Sequence, residues 1–172
     1  MRLRDVELGD LDVYVRMRCD PAMMAELGGP LRRDGIEAKV RQDVATVASG
    51  TAWILMILPD EEDPGTVAGS VAVWSSEGHG QSFSEIGWMV LPQFQGRGVA
   101  TAAVRAVLGR ARKEDRWGLL HAFPGLTNAP SNGICRTLGF SLIGQQDVVF
   151  SGRLLQTNHW QLDPRADLRG AT

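Results

Sequence analysis

The sequence has little of what several function classes require. Its two cysteines, Cys19 and Cys135, stand far apart and in no CxxC or Cys/His grouping. That spacing excludes a disulfide scaffold and gives no metal-ligand set, so reduced thiols in the cytoplasm are the simplest expectation and no metal is expected. No apolar run approaches the roughly 18 residues of a membrane helix, and the opening MRLRDVELGD is charged where a secretory signal would be apolar. Neither a membrane nor an export route is expected. A surplus of positive charge is also missing: 20 acidic against 18 basic residues leave −2. A protein held mainly by phosphate backbones would show the opposite balance, so nucleic acid is not an expected partner.

What is present describes an ordinary folded domain. The chain has 172 residues, 44% hydrophobic and 22% charged, which sets aside disordered and fibrous classes. Residues 1–172 read as one domain, which buries about 70% of its unfolded surface and needs no covalent staple. The 20 glycines are the one skew in composition.

Periodicity predicts a mixed α/β order. Met1 to Glu7 alternates as a short strand, and Asp10 caps a helix that Cys19-Asp20-Pro21 interrupts. Pro21 to Gly29 reads as a second short helix. Asp34 and Glu37 stand at capping-box spacing before Ile36, Val40, Val44 and Val47, one face of the clearest early helix. Thr51 to Pro59 and Thr66 to Ser75 form a hairpin about an acidic tip, Asp60 to Asp63, and Ser82 to Leu91 follows as a third strand. A glycine-containing segment, Gln95 to Gly98, is expected to open a long helix through about Arg112, with a strand over Gly118 to Phe123 after it. Asn128 caps a helix from Ala129 to Leu138 that ends at Gly139-Phe140 in a Schellman pattern. Phe140 to Ile143, Val148 to Phe150 and Leu154 to Leu162 read as closing strands before a frayed tail.

The informative stretch joins the third strand to the long helix. A strand feeding a glycine-rich turn that becomes a helix is an anion site, because the first amides of a helix lack internal acceptors and the dipole is positive there. Gly96, Gly98 and Ala100 keep that surface bare, and Arg97 adds a charged donor. No Lys follows the glycines, as a P-loop requires. Thr101 stands where a dinucleotide fingerprint needs a third Gly, and no acidic ribose partner follows about twenty residues on.

What fits is Gln95-Gly96-Arg97-Gly98-Val99-Ala100 as Q/R-x-x-G-x-G/A, followed by Asn128-Ala129-Pro130-Ser131 and Leu138-Gly139-Phe140. Together these motifs resemble the GNAT (GCN5-related N-acetyltransferase) superfamily over nearly the whole chain. NAPSNGICRTLGF and the ending TNHWQL look most like the branch of ribosomal-protein N-terminal acetyltransferases. The resemblance implies an α/β GNAT fold: a twisted, mostly antiparallel sheet of about seven strands flanked by helices and splayed at the strand before the glycine motif. It implies acetyl-CoA as cofactor, with the pyrophosphate on Gln95, Gly96, Arg97, Gly98, Val99, Ala100 and Thr101. The pantetheine arm would pair along Met89, Val90 and Leu91 and meet Asn128 and Ser131, and a strand amide, Val90 or a neighbour, would hold the oxyanion. Asn128 reads equally as a plain helix cap.

The implied reaction is direct acetyl transfer to a primary amine, either a protein N-terminus or a small molecule. Glu85 lies ten residues before Gln95, where several family members carry a water-linked glutamate base; it reads equally as a solvated strand residue. The family's frequent tyrosine acid falls on Cys135, whose thiol is the candidate replacement, with a small core cysteine as the plainer reading. Phe123 occupies another base position and is inert; His121 nearby reads as structural, and His79 as an exposed turn residue. Met23, Met24 and Leu27 line an acceptor pocket or the core, and Trp53, Trp74 and Trp88 read as sheet aromatics. The rival reading is an acyl-CoA-binding module without turnover. The acceptor is not legible, and monomer and homodimer are both open.

Overall fold

The computed structural model describes residues 1–78, 81–150 and 152–166. Seven strands form one sheet in the order β1-β2-β3-β4-β5-β7-β6. They are β1 (Arg2–Asp5), β2 (Ala52–Leu58), β3 (Gly69–Gly78), β4 (Gln81–Val90), β5 (Leu120–Ala122), β6 (Ser141–Phe150) and β7 (Arg153–Leu162). Every neighbouring pair is antiparallel except β4 and β5, which run parallel. Four helices flank the sheet: α1 (Leu11–Arg18), α2 (Ile36–Ala48), α3 (Val99–Glu114) and α4 (Ala129–Thr137).

The alternation of side chains along each strand sorts the apolar residues into two cores. β2 is apolar at all seven positions because both of its faces are covered. Leu55 and Ile57 pack with Val71, Val73, Ile86 and the α3 stripe Ala103, Val104, Val107, Leu108 and Ala111. Met56 and Leu58 point the other way, to Tyr14, Met17, Ile36, Val40 and Met89. Each fully buried aliphatic or methionine side chain contributes roughly 1.5–3 kcal/mol relative to exposure, so both layers are needed to hold the sheet. The only tyrosine, Tyr14, is buried between α1 and α2, where its hydroxyl donates to Asp43 Oδ2 at 2.8 Å.

Several local expectations are corrected. Segment 21–29 is not a helix but a single 3-10 turn, Ala25–Leu27, closed by Gly28 at φ 81°. The predicted capping box before α2 does not form; Asp34 pairs instead with Arg32 at 2.8 Å, and Gly35 takes the cap position. The three closing strands are two long ones, with a register irregularity between Leu142 and Gly144. His79 and residues 167–172 lie outside the described residues.

The end of α4 is as its sequence reads. Gly139 has φ 82°, Phe140 N–H donates to the Cys135 carbonyl at 3.0 Å, and Gly139 N–H to that of Arg136 at 3.2 Å. One buried residue then ties α4 to β7. Asn132 Oδ1 accepts from Asn158 Nδ2 at 2.8 Å and Trp160 Nε1 at 2.9 Å, while its Nδ2 donates to the carbonyls of Gly125 and Asn128. Asn132→Ala leaves two donors and two acceptors without this partner in the interior. The expected loss is about 3 kcal/mol of unfolding free energy, read by urea denaturation.

Candidate functional site

The site begins where β4 and β5 part. Their register covers only Ser84↔Leu120 and Glu85↔His121, whereas β4 continues to Val90 and β5 ends at Ala122. On its other edge β4 stays paired with β3 as far as Val90↔Gly69, and Leu91 N–H donates to the Ala68 carbonyl at 2.8 Å. Antiparallel alternation therefore aims the backbone groups of Trp88 and Val90 away from β3, into the opening. The Val90 carbonyl is taken by Gln95 Nε2 at 2.7 Å; the Val90 amide faces the gap. Gly69 is required beside this point, since a Cβ there would stand 2.0 Å from the Met89 carbonyl oxygen.

β4 leads into a short 3-10 turn, Pro92–Phe94, and then into Gln95-Gly96-Arg97-Gly98. Gly96 at φ 70° and Gly98 at φ 75° take left-handed conformations that L side chains adopt poorly, and Gly98 is the residue before α3. The amides of Val99, Ala100 and Thr101 form the first turn of α3 and have no acceptor within the helix. Nothing lies within 4 Å of where a Cβ on Gly96 or Gly98 would stand, and Arg97 is exposed beside them. Open amides, a helix dipole and one guanidinium make a cradle that fits a diphosphate.

Across the opening, α4 begins at Asn128, whose Oδ1 accepts from Ser131 N–H at 3.1 Å. Asn128 is thus a helix cap at the cleft. The segment before α1's return to α2 touches both banks: Met23 Sδ lies 3.9 Å from Gln95 Nε2, and Glu26 accepts from Thr127 Oγ1 at 2.9 Å.

At the apex of the opening stands Glu85, half-buried between its register partners Trp74 on β3 and His121 on β5. Burial pushes its carboxyl up to about 7, against a smaller opposing effect from a hydrogen bond with Ser76. Beyond it the sheet face opens into a groove of roughly 520 Å³ whose lining includes Phe83, His121, Phe123, Gln146, His159 and Gln161. His121 Nδ1 lies 2.7 Å from His159 Nε2. His121, Phe123 and His159 stack, with centroids 4.7 Å apart for Phe123 and His159, and Phe83 meets His121 at 5.0 Å in a tilted contact. Burial lowers the pKa of both histidines. Among the described residues no group of three or more His, Cys, Asp or Glu is placed to hold a metal ion.

A family model described as the acetyltransferase (GNAT) domain matches residues 1–141. The chain belongs to the GNAT acetyltransferase family. No curated protein matches it in sequence. Solved structures of GNAT proteins share its fold. A GNAT-family acetyltransferase from Bacillus anthracis is 18% identical, covers 94% of this chain and 93% of its own, and has a TM-score of 0.75. The ribosomal L7/L12 alpha-N-protein acetyltransferase RimL, in complex with coenzyme A through a cysteine disulfide, is 17% identical over 96% and 94%, with a TM-score of 0.78. A phosphinothricin acetyltransferase from Sinorhizobium meliloti in complex with acetyl-CoA is 21% identical over 94% and 87%, with a TM-score of 0.73.

In this GNAT fold, Met89, Val90 and Leu91 lead through the 3-10 turn into residues 95–101 and the start of α3, and Asn128 and Ser131 stand at the start of α4. Met89 and Leu91 bury their side chains in the core on the α1–α2 side and turn their backbone groups toward β3, so the free backbone groups of this stretch are those of Trp88 and Val90. Cys135 is fully buried in the core with α3 and β7, as the plainer reading of a small core cysteine has it, and burial raises its thiol to about 12. Met24 belongs to the core, and Trp53 packs edge-on against Trp117 at 5.3 Å. Sequence reasoning missed His159, Gln146 and Gln161. They sit on β6 and β7, far along the chain, and no local spacing links them to His121.

The raised Glu85 pKa predicts a stability signature. Between pH 4.5, its ordinary value, and about 7, the folded state holds a proton that the unfolded chain has released. Stability from this group is therefore full below pH 4.5 and is lost as pH rises through 7. Glu85→Gln flattens that part of the profile and at pH 8 is more stable than wild type by at most about 3 kcal/mol, as measured by chemical denaturation across pH.

Proposed function

We propose that the protein transfers the acetyl group of acetyl-CoA to a primary amine by direct attack in a ternary complex. The observation that carries this reading is the free edge of β4 running into the glycine cradle at the start of α3, with Glu85 at its apex. Bound acetyl-CoA supplies an activated acetyl thioester. The amides of Gly96 to Thr101, with Arg97, hold the diphosphate, and the pantetheine arm lies along Met89, Val90 and Leu91, hydrogen-bonded to the free backbone groups that β4 turns into the gap at Trp88 and Val90, with Asn128 and Ser131 bordering it. The Val90 amide, aimed into the gap, donates to the oxygen that gains charge as the tetrahedral intermediate forms.

An amine enters protonated and attacks only as the free base. Glu85 takes its first proton through a water; a carboxylate titrating near 7 is well matched to that task near neutral pH. The second amine proton goes to the departing thiolate, so no side-chain acid is needed, consistent with the core position of Cys135 and the occupied hydroxyl of Tyr14. The acceptor is a protein N-terminus or a small amine, and the protein works in the cytoplasm. The lack of a tyrosine at position 135 favours a second reading, an acyl-CoA-binding module that does not turn over.

Two outcomes are expected. Thiol release from acetyl-CoA, followed against alanine- and serine-initiated peptides and small primary amines, falls about 100-fold in kcat/KM for Glu85→Gln, while the melting-temperature rise with CoA is unchanged. CoA stabilisation without turnover on any amine would instead establish the binding module. Gly98→Glu puts bulk and negative charge into the cradle, and CoA should then no longer raise the melting temperature; a retained rise would refute the phosphate site.

A further inference from the structure

We infer that the hydrogen-bonded pair His121–His159 is the route by which the proton collected at Glu85 reaches the solvent of the groove beyond it. This rests on the reading of Glu85 as the base. The proton balance requires such a route. An ammonium acceptor gives up two protons as its nitrogen forms the amide bond and the carbon–sulfur bond breaks; the thiolate takes one, so one proton per turnover must pass from Glu85 to solvent. Glu85 is half-buried and its β3 neighbour is Trp74, whereas its β5 neighbour on the same sheet face is His121. Adjacent strands lie about 4.8 Å apart, so His121 is the titratable register neighbour of Glu85 on β5, within reach through a bridging water.

The hydrogen bonds give the pair a direction. Gln161 Nε2, which can only donate, lies 3.4 Å from His121 Nε2, so that ring nitrogen accepts. His121 then carries its hydrogen on Nδ1 and donates to His159 Nε2 at 2.7 Å, which leaves the hydrogen of His159 on Nδ1. A proton arriving at His121 Nε2 drives the Nδ1 proton onto His159 Nε2. His159 releases its Nδ1 proton to solvent in the groove, and exchange with water restores the starting tautomers. No atom is oxidised or reduced.

The surroundings suit a relay rather than a store. Apart from the two histidines, the side chains lining the groove are uncharged, among them Phe83 from β4, Phe123 just past β5, Gln146 from β6 and Gln161 from β7. Glu85 is the ionisable group that faces the pair from β4. With no carboxylate in the lining to hold an imidazolium, and with burial lowering both pKa values, the rings are neutral near pH 7 and pass a proton on. The phenyl rings against each imidazole keep the pair aligned.

The test uses His159→Phe, which keeps the ring stack, and His121→Asn, with acetyl-CoA and an alanine-initiated peptide or a small primary amine. In dilute buffer kcat falls about tenfold in each, KM for acetyl-CoA and the CoA-induced melting shift stay as in wild type, and added imidazole restores kcat in proportion to its concentration. A merely structural role does not respond to imidazole. Unchanged kcat in dilute buffer, or a loss that imidazole leaves untouched, overturns the relay while wild-type turnover sensitive to Glu85→Gln leaves the acetyl-transfer reading standing. Absence of wild-type turnover on any amine overturns both. His159→Gln, which keeps a polar side chain of similar reach, serves in the same assay where the phenyl variant does not fold.

Discussion

The structure depends on one unequal pairing: β4 is bonded along its whole length to β3 but for only two residues to β5. A strand edge left open inside a sheet is costly unless something satisfies its amides and carbonyls. The rest of the molecule holds that edge open. Gly69 lets β3 press against the Met89 carbonyl, Gln95 caps the Val90 carbonyl, and the two cores clamp β4 from opposite faces through Ile86 and Val90 on one side and Met89 on the other. The widening is maintained from the far bank by Asn132, which locks α4 and the preceding loop to β7. A binding cleft results from backbone geometry, with side chains only trimming it.

The same geometry sets the electrostatics. At the apex the strands are still paired, so Glu85 is taken out of water without receiving a cation, and its carboxyl rises to about 7. A few residues along, the chain leaves the sheet and exposes helix amides to a ligand. One short stretch thus carries a carboxyl with a raised pKa at its start and open helix amides at its end, separated by a free strand edge. The buried acid and the open amides follow from the same divergence of two strands.

How much was legible in the residues varies with the range of the interaction. The α4 cap and its Schellman end, the glycine turn before α3 and the β2–β3 hairpin all depend on contacts within a few positions, and Asn128, Gly98 and Gly139 announce them. The splay was expected only through family resemblance, because nothing in GWMV says that its far edge has no partner. The expected capping box failed because Arg32, two residues away, competes for Asp34. The helix expected over 21–29 failed for lack of a local core face, with Met24 buried but Met23 and Glu26 drawn to Gln95 and Thr127. Cys135 could pass for an acid while its depth was unknown; its place among Val104, Leu138 and Trp160 settles it as core.

By itself the sequence determined the mixed α/β order and the bare glycine turn that opens α3, since these follow from backbone preferences acting over a single turn. Only the tertiary structure decided which edge of β4 is free, how deeply Glu85 and Cys135 lie, and that His121 meets His159 across 38 positions of chain. Burial and strand neighbours are properties of the packed sheet. They shift a proton by several pKa units, and no local pattern of residues records them.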